Sequence, residues 1–190
     1  LMRAIPALVV LLFIFFMGAL VPEFTFGIPF TDVTFFSVKT NDVINKFSAA
    51  LIGLTLIQAA YVGEIYRAGI LSVSKGQYEA AGAIGMTRAQ AMRRIIMPQA
   101  IRVIIPPLSN ELITLFKSTS LVSVIGFTEL LTSVQLVYGR TYQTIPMLLV
   151  ACLWYLLLTS IAMVGQSALE KRYSKGFVRR SKLKTLEVPA

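Results

Sequence analysis

Long apolar runs constrain what this chain can fold into more than any other feature of its sequence. Residues 145–169 contain no charged side chain, and neither do residues 4–21. At about 1.5 Å of helical rise per residue, the first run crosses a hydrocarbon core about 30 Å thick, and the second does so with help from its flanks. Two further runs, 47–73 and 103–127, are apolar but carry a few charged residues. The sequence therefore predicts an all-α, polytopic transmembrane helical bundle with four spans in a single domain.

The composition excludes a water-soluble domain. Hydrophobic residues make up 56% of the chain and charged residues 14%, with a mean hydropathy of +0.73, whereas about a quarter of a soluble domain is charged. The chain has no histidine and a single cysteine, so we expect no disulfide, no metal site and no cofactor. A phosphate loop of the G-x-x-x-x-G-K-S type is missing from the sequence. We therefore predict no catalytic residues and a chain that is not an enzyme.

The net charge of +9 is gathered in two segments. Residues 72–102 contain five basic and one acidic side chain, and residues 170–190 contain seven basic and two acidic ones. Because Lys and Arg are retained on the cytoplasmic side of a membrane, we expect both segments to be cytoplasmic and the connections 22–46 and 128–144 to lie outside. Basic charge placed between apolar spans indicates a lipid bilayer as the partner and argues against nucleic acid.

The first outer connection, 22–46, is long for a hairpin and has an unusual composition. It is rich in Phe and Thr, which suggests a segment that lies at the membrane interface. Its phenylalanines are Phe24, Phe26, Phe30, Phe35 and Phe36.

The inner loop, about 74–102, shows strong local order. A capping-box pattern, in which Ser or Thr is followed three residues later by Gln, begins at Ser74 and again at Thr87, so a helix should start after each. Gly85 lies where the first helix must stop, since glycine adopts the left-handed conformation that ends helices, and the second should end at Pro98. The pattern also imitates a DNA-binding helix-turn-helix, which the four spans argue against. A basic loop that serves only membrane orientation remains an alternative.

This loop resembles the EAA loop of ABC importer permeases. The family pattern is EAA, three residues, G, nine residues, I, one residue, LP, and only Met97 departs from it, a volume-conserving change from Leu. The matching residues are Glu79-Ala80-Ala81, Gly85, Ile95 and Met97-Pro98. Further segments are similar to the polar amino acid branch of that family, namely Arg3-Ala4-Ile5-Pro6 and the runs 60–70, 98–100, 106–111 and 117–121.

The resemblance implies a membrane-spanning permease subunit of an ATP-driven importer for polar amino acids. Such a subunit is a multi-pass protein of the bacterial cytoplasmic membrane, with its C-terminus in the cytoplasm. Its implied partners are a cytosolic ABC ATPase subunit, a periplasmic or extracellular solute-binding protein, and a second permease subunit that is identical or related. The implied ATPase-coupling residues are Glu79, Ala80, Ala81, Gly85 and Pro98. Family members usually begin with one more span, so we expect a first span to be missing here.

Other functions remain as alternatives to this interpretation. These alternatives are an ABC permease for another small polar solute, a non-ABC channel and a passive membrane anchor. A channel or secondary transporter needs more spans, an inverted repeat or a continuous polar stripe, and the sequence has none of these. The sequence does not distinguish which amino acid is carried.

Ionisable and polar groups inside the predicted spans are the candidates for a substrate pathway. A charged group near the centre of a membrane helix costs at least about 2.5 to 3.5 kcal/mol, so such groups normally face protein or a water-filled cavity. The candidates are Glu64, Asn110, Glu111, Lys117 and Ser118. Packing against a polar group of another helix is the alternative role for each. Family members often carry an acidic residue at the position of Ser118.

Two sequence spacings refine these candidates. Arg67 follows Glu64 by three residues, so the two can pair on one helix face. Glu111 and Lys117 are six residues apart and should lie on different faces. Pro106 and Pro107 each lack a backbone donor, and we expect them to break the third span where it lines a cavity.

Overall fold

The computed structural model describes residues 2–28 and 34–173 and shows a helical membrane protein with one small sheet. The predicted all-α bundle is confirmed, with this sheet as an addition. Residues 174–190 of the predicted basic tail lie outside the described residues. The first half of the chain forms a 3-10 turn Met2–Ala4, α1 Ala7–Phe15, α2 Met17–Leu20, β1 Glu23–Gly27, β2 Thr34–Lys39, α3 Thr40–Val43 and α4 Lys46–Leu71.

All regular elements in the second half of the described chain are helices. A π-helical turn and a 3-10 helix adjoin the ends of its long central helix. The elements are α5 Lys75–Ala83, α6 Arg88–Ala91, the π turn Met92–Ile96, α7 Met97–Ser118, the 3-10 helix Thr119–Ile125, α8 Leu130–Thr141 and α9 Thr144–Tyr173.

Two of these helices, α4 and α9, are each long and apolar enough to cross a membrane. A third candidate is the helical run Arg88–Ile125 taken together with α8, which is bent by 44° at the break. These three correspond to the predicted spans 47–73, 145–169 and 103–127. The count of four spans stays a prediction.

The predicted span 4–21 is divided at Phe16 into α1 and α2. Gly18 in α2 lies against the side chain of Asn41 in α3, so closely that a Cβ atom at this position would overlap the amide. The close contact between α2 and α3 therefore lies directly after the division at Phe16.

The expected break at Pro106 and Pro107 is wrong, because α7 continues through both residues. Each proline leaves the carbonyl four residues earlier without its helical donor, and these carbonyls belong to Arg102 and Val103. Both of those residues are exposed, so a donor from outside the helix can reach them. Ser109 donates its hydroxyl to the carbonyls of Ile105 at 2.8 Å and Pro106 at 3.0 Å.

The chain divides into two compact units. The first consists of Leu1–Tyr61 with Leu115–Leu156 and has its core where α1, the start of α4 and the 3-10 helix Thr119–Ile125 meet. Gly53 and its neighbours Ala49 and Ala50 let α1 approach α4 closely, as small residues do between membrane helices. The buried members of this core are Val10, Leu11, Ile14, Ile44, Ala49, Ala50, Val122 and Ile125.

The second unit consists of Val62–Thr114 with Leu157–Ala190 and contains the whole inner loop. Its core joins the end of α4 to the π turn and α7. Gly69 of α4 lies against the side chain of Ile104 in α7, and no room is left for a Cβ atom between them. The buried members are Val73, Ile96, Ala100 and Ile104.

Candidate functional site

The first helix of the inner loop, α5, starts at the predicted position. Its N-cap residue Ser74 accepts from the Gln77 amide through its backbone carbonyl at 3.0 Å, and its side chain makes no capping hydrogen bond. The Gln77 side chain instead accepts from Nε2 of Gln99 at 3.2 Å. The same Gln99 nitrogen also donates to the carbonyl of Ile95 at 3.0 Å. A side-chain bridge therefore links α5 to the first turn of α7, a contact that the sequence analysis missed.

Gly85 ends α5 in the left-handed conformation, as predicted, with φ of +76°. The amide of Gly85 donates to the carbonyl of Gly82 at 2.9 Å, and the amide of Met86 donates to that of Ala81 at 3.0 Å. These two bonds are the Schellman pattern, which satisfies carbonyls at a helix C-terminus. Because a Cβ atom on Gly85 would have no atom within 4 Å, only the backbone angle requires glycine here.

The second helix of the loop begins with the predicted capping box. The amide of Gln90 donates to the Thr87 hydroxyl at 3.3 Å, and the Thr87 amide donates to the Gln90 side chain at 2.9 Å. The predicted end at Pro98 is wrong, because helical backbone continues from α6 through the π turn into α7. The π turn Met92–Ile96 lies just before Pro98, which supplies no backbone donor to that turn. The second loop helix is therefore continuous with the candidate third span.

The outward surface of α5 and its turn is a defined set of residues. Glu79 and Ala80 are exposed, and Ile84 is 74% exposed at the tip beside Gly85. Ala81, also predicted as a coupling residue, is only 1% exposed and packs inside the second unit. Pro98 is exposed on α7. Glu79, Ala80 and Ile84 together are called the coupling face.

Glu64 is paired with Arg67, as the spacing predicted. Nε of Arg67 donates to Oε2 of Glu64 at 3.0 Å, and Nη2 donates to Oε1, so the pair is bidentate. A bidentate pair holds both charges in fixed geometry and removes the cost of an isolated carboxylate in a span. The Arg67 guanidinium therefore neutralises the Glu64 carboxylate in this conformation.

The remaining pathway candidates lie along α7. Asn110 is exposed and Glu111 is partly buried, both in the second unit, whereas Lys117 and Ser118 end the helix in the first unit. Within residues 2–28 and 34–173, the Glu111 carboxylate and the Lys117 ammonium make no hydrogen bond or ion pair. Unpaired charges in a membrane span require water, a ligand or another chain.

Within the first unit, the start of α4 contacts the two residues that follow the 3-10 helix Thr119–Ile125. Nζ of Lys46, at the start of α4, donates to the carbonyl of Gly126 at 3.1 Å, and the rings of Phe47 and Phe127 lie 6.0 Å apart. The start of α4, which ends the predicted connection 22–46, therefore contacts residues just before the predicted connection 128–144. The membrane topology itself stays a prediction.

Glu129, which the sequence analysis did not single out, has a structural role in this unit. Its carboxylate accepts from the amides of Leu131 at 2.8 Å and Thr132 at 2.6 Å, which caps α8. It also accepts from the Tyr155 hydroxyl of α9 at 2.9 Å. Its position directly before an apolar helical run was the signal for a cap.

Comparisons with known proteins agree with this geometry. Residues 1–175 match the family described as the binding-protein-dependent transport system inner membrane component. The arginine transport system permease protein ArgU of Corynebacterium glutamicum is 45% identical over 93% of this chain and 54% of its own length. The probable amino-acid ABC transporter permease protein YckA of Bacillus subtilis is 40% identical over 91% of this chain and 68% of its length.

A solved structure is similar over most of the chain. It is a crystal structure described as an amino acid ABC transporter with histidines, with a TM-score of 0.74 and 35% identity over 90% of this chain and 71% of that one. The helical fold is thus that of ABC transporter permease components. The chain belongs to the family of inner membrane components of binding-protein-dependent transport systems. It spans about half the length of the corynebacterial relative. ATP hydrolysis in such systems belongs to a separate subunit.

Proposed function

We propose that this chain is the membrane-spanning permease subunit of an ATP-driven importer for polar amino acids. The relatives named above are permeases for arginine and for amino acids, which favours this substrate class. In the proposal, a solute-binding protein delivers the substrate from outside, and a cytosolic ABC ATPase and a second permease subunit complete the transporter.

The observation that carries the proposal is the construction of the inner loop. A Schellman turn at Gly85 and a capping box at Thr87 fix the loop backbone, so the coupling face is presented in one orientation. The second loop helix continues into α7, and Gln77 bonds to Gln99. In the proposal, a displacement of α5 therefore reaches α7 by two routes, through the Gly85 turn and α6, and through the bridge between Gln77 and Gln99.

The ATPase contact is tested by cysteine cross-linking in a Cys152→Ser background. Ala80→Cys and Ile84→Cys should cross-link to the ATPase subunit of the assembled transporter, because both positions are exposed. Ala81→Cys is the matched control, since its position is 1% exposed and should give no product. Equal yields at Ala80 and Ala81, or none at Ala80 and Ile84, would contradict the coupling face.

The orientation in the membrane is tested by labelling intact cells. Cysteine at Gln77 should resist an impermeant thiol reagent until lysis, because the inner loop is proposed to be cytoplasmic. Cysteine at Tyr142, which is 89% exposed between α8 and α9, should react at once. Immediate labelling of the Gln77 site would reverse the orientation and remove the ATPase from the coupling face.

The substrate pathway in this proposal includes Asn110, Glu111, Lys117 and Ser118 of α7. Glu111 lies in the second unit and Lys117 in the first, and neither charge has a partner among the described residues, so each is proposed as a separate polar position along the pathway. Glu64 has a different role in the proposal, because Arg67 already compensates its carboxylate. It shapes the inner part of the pathway as half of an ion pair.

A further inference from the structure

The paired residues of the hairpin formed by β1 and β2 divide into one apolar and one polar face, whereas the exposed Phe35 lies at a register shift and belongs to neither set of pairs. In an antiparallel pair, directly opposed residues share a face, and consecutive residues alternate between faces. The apolar face consists of two opposed pairs, Phe24 with Val38 and Phe26 with Phe36. The polar face consists of Glu23 opposite Lys39 and Thr25 opposite Ser37. The Ser37 hydroxyl donates to the Glu23 carboxylate at 2.7 Å, so two side chains of the polar face bond to each other.

The apolar face points toward the ends of the helices. Phe24 packs against the core of the first unit, which α1, α4 and the 3-10 helix Thr119–Ile125 build. Phe26 and Phe36 lie on the same face, one pair farther from the base, and they are 65% and 59% exposed. The apolar face is therefore covered by the core at Phe24 and exposed at Phe26 and Phe36.

The base of the hairpin is fixed to these helices. The amide of Thr40 donates to the carbonyl of Pro22 at 2.9 Å, and its hydroxyl donates to the carbonyl of Val21. Thr40 is completely buried. Val21 directly follows α2 and Thr40 precedes α4 by a few residues, so the hairpin leaves the protein at the level where the helices end.

We propose that the apolar face of this hairpin lies on the lipid bilayer, with Phe26 and Phe36 among the acyl chains and Thr25 and Ser37 toward water. The hairpin then holds the end of α2 and the start of α4 at a constant depth. This contact is independent of the proposed substrate and ATPase. The proposed orientation would place this contact in the outer leaflet, and the contact itself does not depend on that orientation.

Lipid fits this surface better than a soluble partner does. A partner that docks and leaves would expose both rings to water in every cycle, and large apolar patches are uncommon on surfaces in contact with water. The bilayer is already present around α4, and it covers the rings permanently. Alternation of apolar and polar residues is also how an amphipathic element divides itself between lipid and water.

The proposal is tested with nitroxide labels in the complete transporter, assembled from Cys152→Ser permease and cysteine-free partner subunits in phosphatidylcholine bilayers. Phe26→Cys and Phe36→Cys are the test positions, and Thr25→Cys and Ser37→Cys are matched controls on the opposite face. The test positions should collide often with oxygen, which concentrates in hydrocarbon, and rarely with a water-soluble nickel chelate. The controls should show the reverse.

Two other results would overturn the proposal. Frequent nickel collisions at positions 26 and 36 would place the rings in water, and infrequent collisions with both reagents would show that a protein covers them. A second measurement leaves the hairpin unaltered. A photoactivatable phosphatidylcholine should attach to Phe26 or Phe36 of the unmodified chain, and attachment confined to the polar face would equally contradict the lipid contact.

Discussion

The left-handed turn at Gly85 gives the sharpest mutational test of the inner loop. Because a Cβ atom there would have no neighbour within 4 Å, a substitution changes the backbone energy and little else. An L-residue in this conformation costs about 1 to 2 kcal/mol, and a β-branched residue lies at the upper end or beyond. Asn visits the conformation readily. We expect the loop to tolerate Gly85→Asn, to lose about 1 kcal/mol in Gly85→Ala, and to lose about 2 kcal/mol or more in Gly85→Val.

These energies translate into populations of the loop conformation. A cost of about 1 to 2 kcal/mol lowers the ratio of correctly turned to alternative loops by roughly 5-fold to 30-fold. ATP hydrolysis stimulated by the binding protein in proteoliposomes should fall in the order Gly85, Asn, Ala, Val, while the amount of inserted permease stays constant.

The control is Gly82→Ala, three residues earlier in the same loop. Gly82 also has no atom within 4 Å of an added Cβ, but it lies inside α5 and not in the left-handed region. Alanine should therefore preserve the stimulation and favour the helix by roughly 0.5 to 1 kcal/mol. Equal losses in Gly82→Ala and Gly85→Ala, or full stimulation in Gly85→Val, would refute the role assigned to the turn.

Three further predictions concern the helices. Gly69→Ala places a methyl group against Ile104 and should lower the free energy of unfolding by about 1 to 3 kcal/mol, measured by thermal unfolding in detergent. Adding Ile104→Ala should cost less in this background than in the native one, whereas additive losses would show that the two residues are not in contact. Glu111→Gln should reduce uptake and raise the substrate concentration needed, with the melting temperature unchanged, because the carboxylate has no partner among the described residues. Glu129→Gln should instead lose about 1 to 2 kcal/mol of stability, since Glu129 caps α8 and binds Tyr155. A lowered melting temperature in Glu111→Gln with normal uptake would assign that residue to packing.

The inner loop was predictable because its signals are local. Capping at Thr87 and the left-handed turn at Gly85 depend on residues within three or four positions, and the structure places both as predicted. The pairing of Glu64 with Arg67 is equally local. Residue type and spacing therefore predicted most interactions of this range. The capping box at Ser74 is the exception, because the Gln77 side chain bonds to Gln99 of α7 instead.

The errors arise where tertiary contacts outweigh a local preference. Prolines at 98, 106 and 107 predicted helix ends, but packing of Ala100 and Ile104 against α4 accompanies a helix that runs through all three positions. The sequence also did not show that Ala81 faces the protein while Ala80 faces outward. The hairpin was predicted only as an interfacial segment, although Phe24 and Phe26 already alternate with polar residues in a strand pattern.

Transport itself is the most direct test of the central claim that this chain couples ATP hydrolysis to amino acid import through its inner loop. The transporter is reconstituted with ATP inside the liposomes and with the binding protein and a panel of radiolabelled amino acids outside. We predict accumulation of a polar amino acid only when the ATPase subunit, ATP and the binding protein are all present, and its loss in Gly85→Val. Equal accumulation without the ATPase subunit, or in Gly85→Val at matched insertion, would contradict the account.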